Sequence, residues 1–183
     1  MGYKIAIVGS LNTGKTTLAK KLAEEFHIPL AERITSADRI QHLYKGKDVN
    51  ELNSKQIVRL AVQLYKDRFV SEMKREFVSD GSAITDLARA YTLIGDYEIP
   101  SFIFRIYNKL HEMLIKRYNH VFYLHISDIP VKNETVPYLH LRENIDGHIR
   151  LLLDKHNIWD VRLDGTLDER LDSALRYLKK KVN

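Results

Sequence analysis

A chain of 183 residues, 44% hydrophobic and 29% charged, has the balance of one ordinary globular domain and excludes a low-complexity or disordered protein. With no cysteine it excludes disulfides and thiolate metal sites, and its apolar runs are far too short to span a bilayer. A net charge of +5 and a pI near 9.3 admit an anionic partner without identifying it, since part of the excess, Lys179, Lys180 and Lys181, suits a helix C-terminus equally well.

The first predicted element is a strand, because Ile5, Ala6, Ile7 and Val8 are apolar on both faces, as a central parallel strand requires. Gly9 and Asn12 interrupt that run, so it does not form a secretory h-region, and a cytoplasmic protein is expected. Residues 9–17, GSLNTGKTT, follow at once. Gly9, Gly14, Lys15 and Thr16 stand at the spacing of a Walker A loop. The glycines free the backbone so that successive amides, including those of Asn12, Thr13 and Thr17, converge on phosphate oxygens. The loop opens a helix over 14–26, whose first-turn amides favour an anion and whose apolar stripe is Leu18, Ala19, Leu22, Ala23 and Phe26. Lys15 is expected on the terminal phosphates of a nucleoside triphosphate and the Thr16 hydroxyl on Mg²⁺.

A short second strand over 28–31 ends at Glu32 and Arg33, a pair that faces the same crevice as the loop or forms a surface ion pair. A helix over 36–44 and a polar loop over 45–53 come next. Asn53 and Gln56 form a capping box that opens a long helix to about residue 76. Its expected buried stripe is Ile57, Leu60, Ala61, Leu64, Phe69 and Met73, with Lys66, Arg68, Lys74 and Arg75 on a solvated face. The third strand, 77–79, ends in Asp80, where a Mg²⁺-associated carboxylate of Walker B type belongs. Ser82 is read as the cap of a helix that carries Asp86, Arg89 and Tyr91 and ends at Gly95. Pro100 starts a further helix to about 119, with Phe102, Ile106, Leu110, Met113 and Leu114 turned inward.

A fourth strand over 120–126 precedes a loop over 127–137 and a charged helix over 141–156. On that helix Arg142, Asp146 and Arg150 recur every fourth residue. The two arginines either close over a transferring phosphate or pair with Asp146. A fifth strand over 158–163, a turn at Asp164, Gly165 and Thr166, and a closing helix over 167–181 complete the chain. Strands alternating with helices predict a five-stranded parallel sheet covered on both faces, a single three-layer α/β/α domain with a small helical lid over about 127–157.

The whole chain resembles the P-loop nucleoside and nucleotide kinases, and within them the nicotinamide-riboside-kinase-like ATPase family. The resemblance rests on GSLNTGKTT, on Glu32-Arg33, on FVSDGSAITDLARAY, on the stretch from Asp146-Gly147 to Arg150, and on LDGTLDERLDSAL. It implies ATP phosphates on residues 9–17, the base near Gly165, and an acceptor entering between the second and third strand ends. The family's acidic motif after the third strand is here Asp80-Gly81-Ser82 without its arginine, and its Asp-Gly-x-Arg element is one residue longer.

Phosphoryl transfer rests on positioning and charge neutralisation. Lys15, Mg²⁺ on Thr16 and Asp80, and Arg142 or Arg150 supply the neutralisation. For a hydroxyl acceptor Glu32 is the candidate base; for a phosphate acceptor Arg33 and Arg89 are the candidate ligands, with Asp80 also facing the substrate. Three readings follow: a kinase of small nucleoside-like or nucleotide acceptors, a kinase of a hydroxyl in a nucleic-acid polymer, and a P-loop ATPase switch acting through a partner. No membrane role is expected, and a homodimer is compatible with the resemblance.

Overall fold

The computed structural model describes residues 2–48, 51–94, 99–128, 139–158 and 161–182. Along the chain run β1 (Lys4–Gly9), α1 (Lys15–Phe26), β2 (Leu30–Ala31), α2 (Ser36–Leu43), α3 (Ser54–Ser71), β3 (Phe77–Asp80) and α4 (Ala83–Ile94). Then come α5 (Ser101–Ile115), β4 (His120–Leu124), α6 (Arg142–Lys155), β5 (Val161–Arg162) and α7 (Leu167–Val182). Most of the expected 127–137 loop, and Gly95 as a helix stop, lie outside the described residues.

The strands form one parallel sheet in the order β2-β3-β1-β4-β5. β1 therefore lies between β3 and β4, and the connections leaving β1 and β4 diverge, toward β2 and β5, which opens a crevice beyond their carboxyl ends. Register places Asp80 directly beside Ile7, two residues before the loop begins. Strand alternation divides the core. Ala6, Val8, Val121 and Tyr123 meet α4, α5 and α6 on one face, while Ile5, Ile7, Phe122 and Leu124 meet α1 and α7 on the other. The three-layer architecture is as expected.

Two helices differ from their sequence reading. α3 begins at the expected Asn53–Gln56 capping box, with reciprocal bonds of 3.0 Å, but ends at Ser71. Phe69 and Met73 face outward, and Arg68, expected on the solvated face, is 4% exposed. α5 is turned by about one position: Phe102, Ile106 and Met113 are exposed, and Tyr107, His111, Leu114 and Ile115 are buried. The inward face of α5 carries two polar aromatics that a count of apolar residues overlooks. His111 packs against the Tyr107 and Tyr65 rings at centroid distances of 4.2 and 5.2 Å. Ser82 precedes α4, but its hydroxyl makes no capping bond, and its φ of 112° is uncommon for a residue with a side chain.

Arg68 is buried because its partners are buried with it. Its guanidinium donates to Asp86 Oδ2 at 2.9 Å, Ser79 Oγ at 3.0 Å and the Asp80 carbonyl at 3.1 Å, and lies 3.6 Å from Glu72. The Tyr118 hydroxyl donates to Glu72 and accepts the Ala83 amide at 2.8 Å. Burial opposes charge on Asp86, yet Arg68 and Arg33 outweigh it and hold the carboxyl below its usual range. This network ties α3 and α4 to the end of β3 that carries Asp80. Arg68→Met would leave Glu72 buried without a cation and Asp86 with only the more distant Arg33, a loss of about 3–5 kcal/mol. Urea denaturation of the variant is expected to show that drop in stability.

Candidate active site

The loop between β1 and α1 is shaped by close approach. A Cβ on Gly9 would lie 2.7 Å from the Leu124 carbonyl and 2.8 Å from Thr13 Oγ1, at a φ of 156° that favours glycine. Gly14, at φ 81°, is the N-cap of α1; no side chain caps the helix and no acidic residue sits in its first turn. The first-turn amides are thus left to an anion.

Lys15 is buried, with its ammonium donating to the Ser10 carbonyl and, at 3.2 Å, to Thr13 Oγ1. Burial, then the nearby Arg33 and Arg142, push its pKa down to about 7, against the pull of Asp80. The Thr16 hydroxyl donates to Asp80 Oδ2 at 2.8 Å, so the two expected metal-binding residues meet although 64 positions separate them. A hydroxyl and a carboxylate are hard oxygen donors suited to Mg²⁺, which is commonly held by one or two protein groups with the rest from phosphate and water. No group of three His, Asp or Glu side chains that could cage a metal occurs among the described residues.

Arg142, at the start of α6, is docked on the loop. Its Nε donates to the Leu11 carbonyl at 3.0 Å, and Ser10 Oγ donates to its carbonyl at 2.5 Å. Arg150 is not at the loop contact: it is 59% exposed and its Nε lies 3.5 Å from Asp146 Oδ2, which also accepts the Tyr123 hydroxyl at 2.9 Å. Of the two arginines on that helix face, the structure brings one to the phosphate loop and leaves the other on Asp146.

An open cavity of about 640 Å³ reaches from Leu11 of the loop to Arg33 and Arg89, and a narrower cleft that shares those two arginines lies between β2, α3, α4 and α5. Arg33, Arg68, Asp86 and Arg89 supply its polar groups, and Ile57, Leu60, Leu64, Leu93 and Tyr107 its apolar walls. Arg33 lies 3.8 Å from Asp86, and Arg89 is half-buried with its Nε unbonded. Glu32 is exposed and is not among the residues lining the cleft. Asp86 and Arg68 are cleft residues that sequence reasoning missed as a site. Arg68 in particular carries no local signal, because its partners lie up to 18 residues downstream. Gly165, at φ 88°, forms the turn before α7, where the Glu169 carboxylate accepts the Thr166 amide and hydroxyl at 2.7 and 2.9 Å.

The fold has counterparts among solved structures. A deoxyadenosine kinase from M. mycoides superposes with a TM-score of 0.68 over 96% of this chain and 98% of its own, at 10% identity. The chain has the P-loop nucleoside and nucleotide kinase fold. A thymidylate kinase from Ehrlichia chaffeensis gives 0.62 at 16% identity, over 97% of this chain and all of its own. NadR bound to NAD and AMP-PNP gives 0.61 at 22% identity over 90% of this chain; the alignment spans 45% of NadR, so the chain corresponds to less than half of that protein. No protein-family model and no curated protein matches the sequence. No helix among the described residues is long and apolar enough to cross a membrane.

The depressed pKa of Lys15 has a measurable consequence. Between about pH 7 and the ordinary lysine range the unfolded chain holds a proton that the folded chain lacks, so stability rises with pH across that window. Thermal melts of nucleotide-free protein are expected to show this rise. Lys15→Met is expected to abolish it and to melt higher than wild type at pH 7.

Proposed function

We propose that the chain is an ATP-dependent phosphotransferase that moves the terminal phosphate of ATP to a small nucleoside-like or nucleotide acceptor with Mg²⁺. The observation that carries this reading is the Thr16–Asp80 contact at the head of the phosphate loop, beside a cleft with Arg33, Asp86 and Arg89. The cavity of about 640 Å³ at Arg33 and Arg89 falls in the range of small-molecule sites, and the apolar walls of the adjoining cleft, with a few polar groups among them, suit a flat heterocycle. The fold neighbours point the same way: NadR was solved with nicotinamide riboside (NR), and the M. mycoides kinase with dCTP and with dATP.

In this reading the bond between the terminal phosphorus and the oxygen bridging to ADP breaks as a bond to the acceptor oxygen forms. The loop amides and Lys15 hold the phosphates in line and offset charge on the leaving oxygen. Phosphate restores a full charge to Lys15, which burial otherwise disfavours. Bound Mg²⁺ would be held by Thr16 and Asp80 and would neutralise phosphate charge. Arg142, fixed on the Leu11 carbonyl, holds α6 against the loop. A hydroxyl acceptor delivers its proton to a carboxylate, for which Glu32 at the end of β2 is the candidate. A phosphate acceptor needs no base and is met by Arg33 and Arg89, and the open Nε of Arg89 favours this second form.

ATP consumption with pooled nucleosides, pooled nucleoside monophosphates, nicotinamide riboside and single-stranded DNA tests the reading. Monophosphates are expected to stimulate turnover, to the same extent in Glu32→Gln, and Arg89→Ala is expected to raise their KM at least tenfold. Stimulation by nucleosides that Glu32→Gln removes would assign Glu32 as the base. Stimulation by DNA alone would move the acceptor into a polymer, and turnover indifferent to every acceptor would make the protein an ATPase.

A further inference from the structure

Arg170, on α7, is 7% exposed, and its side chain has no hydrogen-bond or ion-pair partner. Three acids close to it in sequence pair with other groups. Asp164 pairs with Arg162 at 2.8 Å, Asp168 with Lys21 at 2.9 Å, and Glu169 accepts both bonds from Thr166. The Nε is buried and unbonded while no counter-charge meets the guanidinium, an unfavourable arrangement that the packing of α7 on α1 does not itself require. The location is informative. Arg170 Nη1 lies 3.9 Å from where a Gly14 Cβ would be, so the guanidinium overlies the N-cap of α1 and the uncapped first turn of that helix. It is also one helical turn past the Gly165 turn, with its amide bonded to the Thr166 carbonyl at 3.0 Å.

We propose that Arg170 is a phosphate ligand for the bound nucleotide, contributed by the last helix. It adds a cation to Lys15 on the α7 side of the loop. The inference rests on the reading of residues 9–17 as a nucleotide site. It accounts for a buried charge that no protein group balances, since a phosphate oxygen would supply the missing acceptor. Arginine suits the role because its planar fork reaches two oxygens at once.

The test is calorimetric titration of ATP, ADP and inorganic tripolyphosphate, without metal, into wild type, Arg170→Met and Arg170→Lys, with melts of each nucleotide-free protein. All three ligands are expected to bind Arg170→Met at least tenfold more weakly, with partial recovery in Arg170→Lys. The nucleotide-free Arg170→Met protein is expected to melt at or above the wild-type temperature, because an unpaired buried charge is gone. Wild-type binding with unchanged affinities in Arg170→Met would overturn the proposal, as would loss confined to ATP and ADP, which would place Arg170 on the base or ribose. A lower melting temperature for Arg170→Met would make the residue structural. Absence of binding in wild type would instead overturn the nucleotide reading itself, and this proposal with it.

Discussion

The hydrogen bond from Thr16 to Asp80 is the contact on which the site depends. One partner opens α1 and the other ends β3, and they meet only because β3, rather than β2, lies beside β1 in the sheet. The pairing of Ile7 with Asp80 sets the carboxylate level with the start of the phosphate loop; a slip of one residue would turn it to the other face of the sheet. Asp80 is held from behind as well. Its carbonyl accepts from Arg68, whose other bonds reach Ser79 and Asp86. The buried network under α3 therefore positions both the metal-facing carboxylate and the polar end of the acceptor cleft, so that packing and chemistry share the same residues.

Charges are concentrated where burial makes them costly. Lys15 is buried near Arg33 and Arg142 as well as Asp80 and Asp86, Arg68 is enclosed with two acids, and Arg170 is paired with none. Two of these three lie at the phosphate loop, and both lack a balancing carboxylate in direct contact. A site of this kind is stabilised by a polyanion more than by its own side chains, and ligand binding then adds stability to the folded state. Stability and function are set against each other at Lys15 in particular, because the ammonium that neutralises phosphate is a liability to the protein without it.

Much of this was legible in the sequence. The Walker A spacing located the loop, the apolar run before it located the central strand, and the Asp80 expected after the third strand does hydrogen-bond Thr16. The Asn53 and Gln56 cap marked the start of α3 to the residue. Other features depended on contacts that periodicity does not encode. Arg68 looks like an exposed basic residue until its partners at Ser79 and Asp86 are brought under it. α5 presents a conventional apolar stripe in Phe102, Ile106 and Met113, yet buries Tyr107 and His111, and the His111 ring lies against those of Tyr107 and Tyr65. Arg142 and Arg150 are equivalent by spacing, and only the docking of the α6 start on Leu11 separates them. Arg170 gave no signal at all, because its significance lies in the absence of a partner.

The central claim is that Thr16 and Asp80 together complete a nucleotide–metal site on the loop. Equilibrium binding of ATP with and without Mg²⁺, in wild type and in Asp80→Asn, tests it most directly. The account predicts that Mg²⁺ tightens ATP binding to wild type by at least tenfold and leaves binding to Asp80→Asn nearly unchanged, while metal-free affinities of the two proteins stay similar. An equal Mg²⁺ effect in both proteins would contradict it.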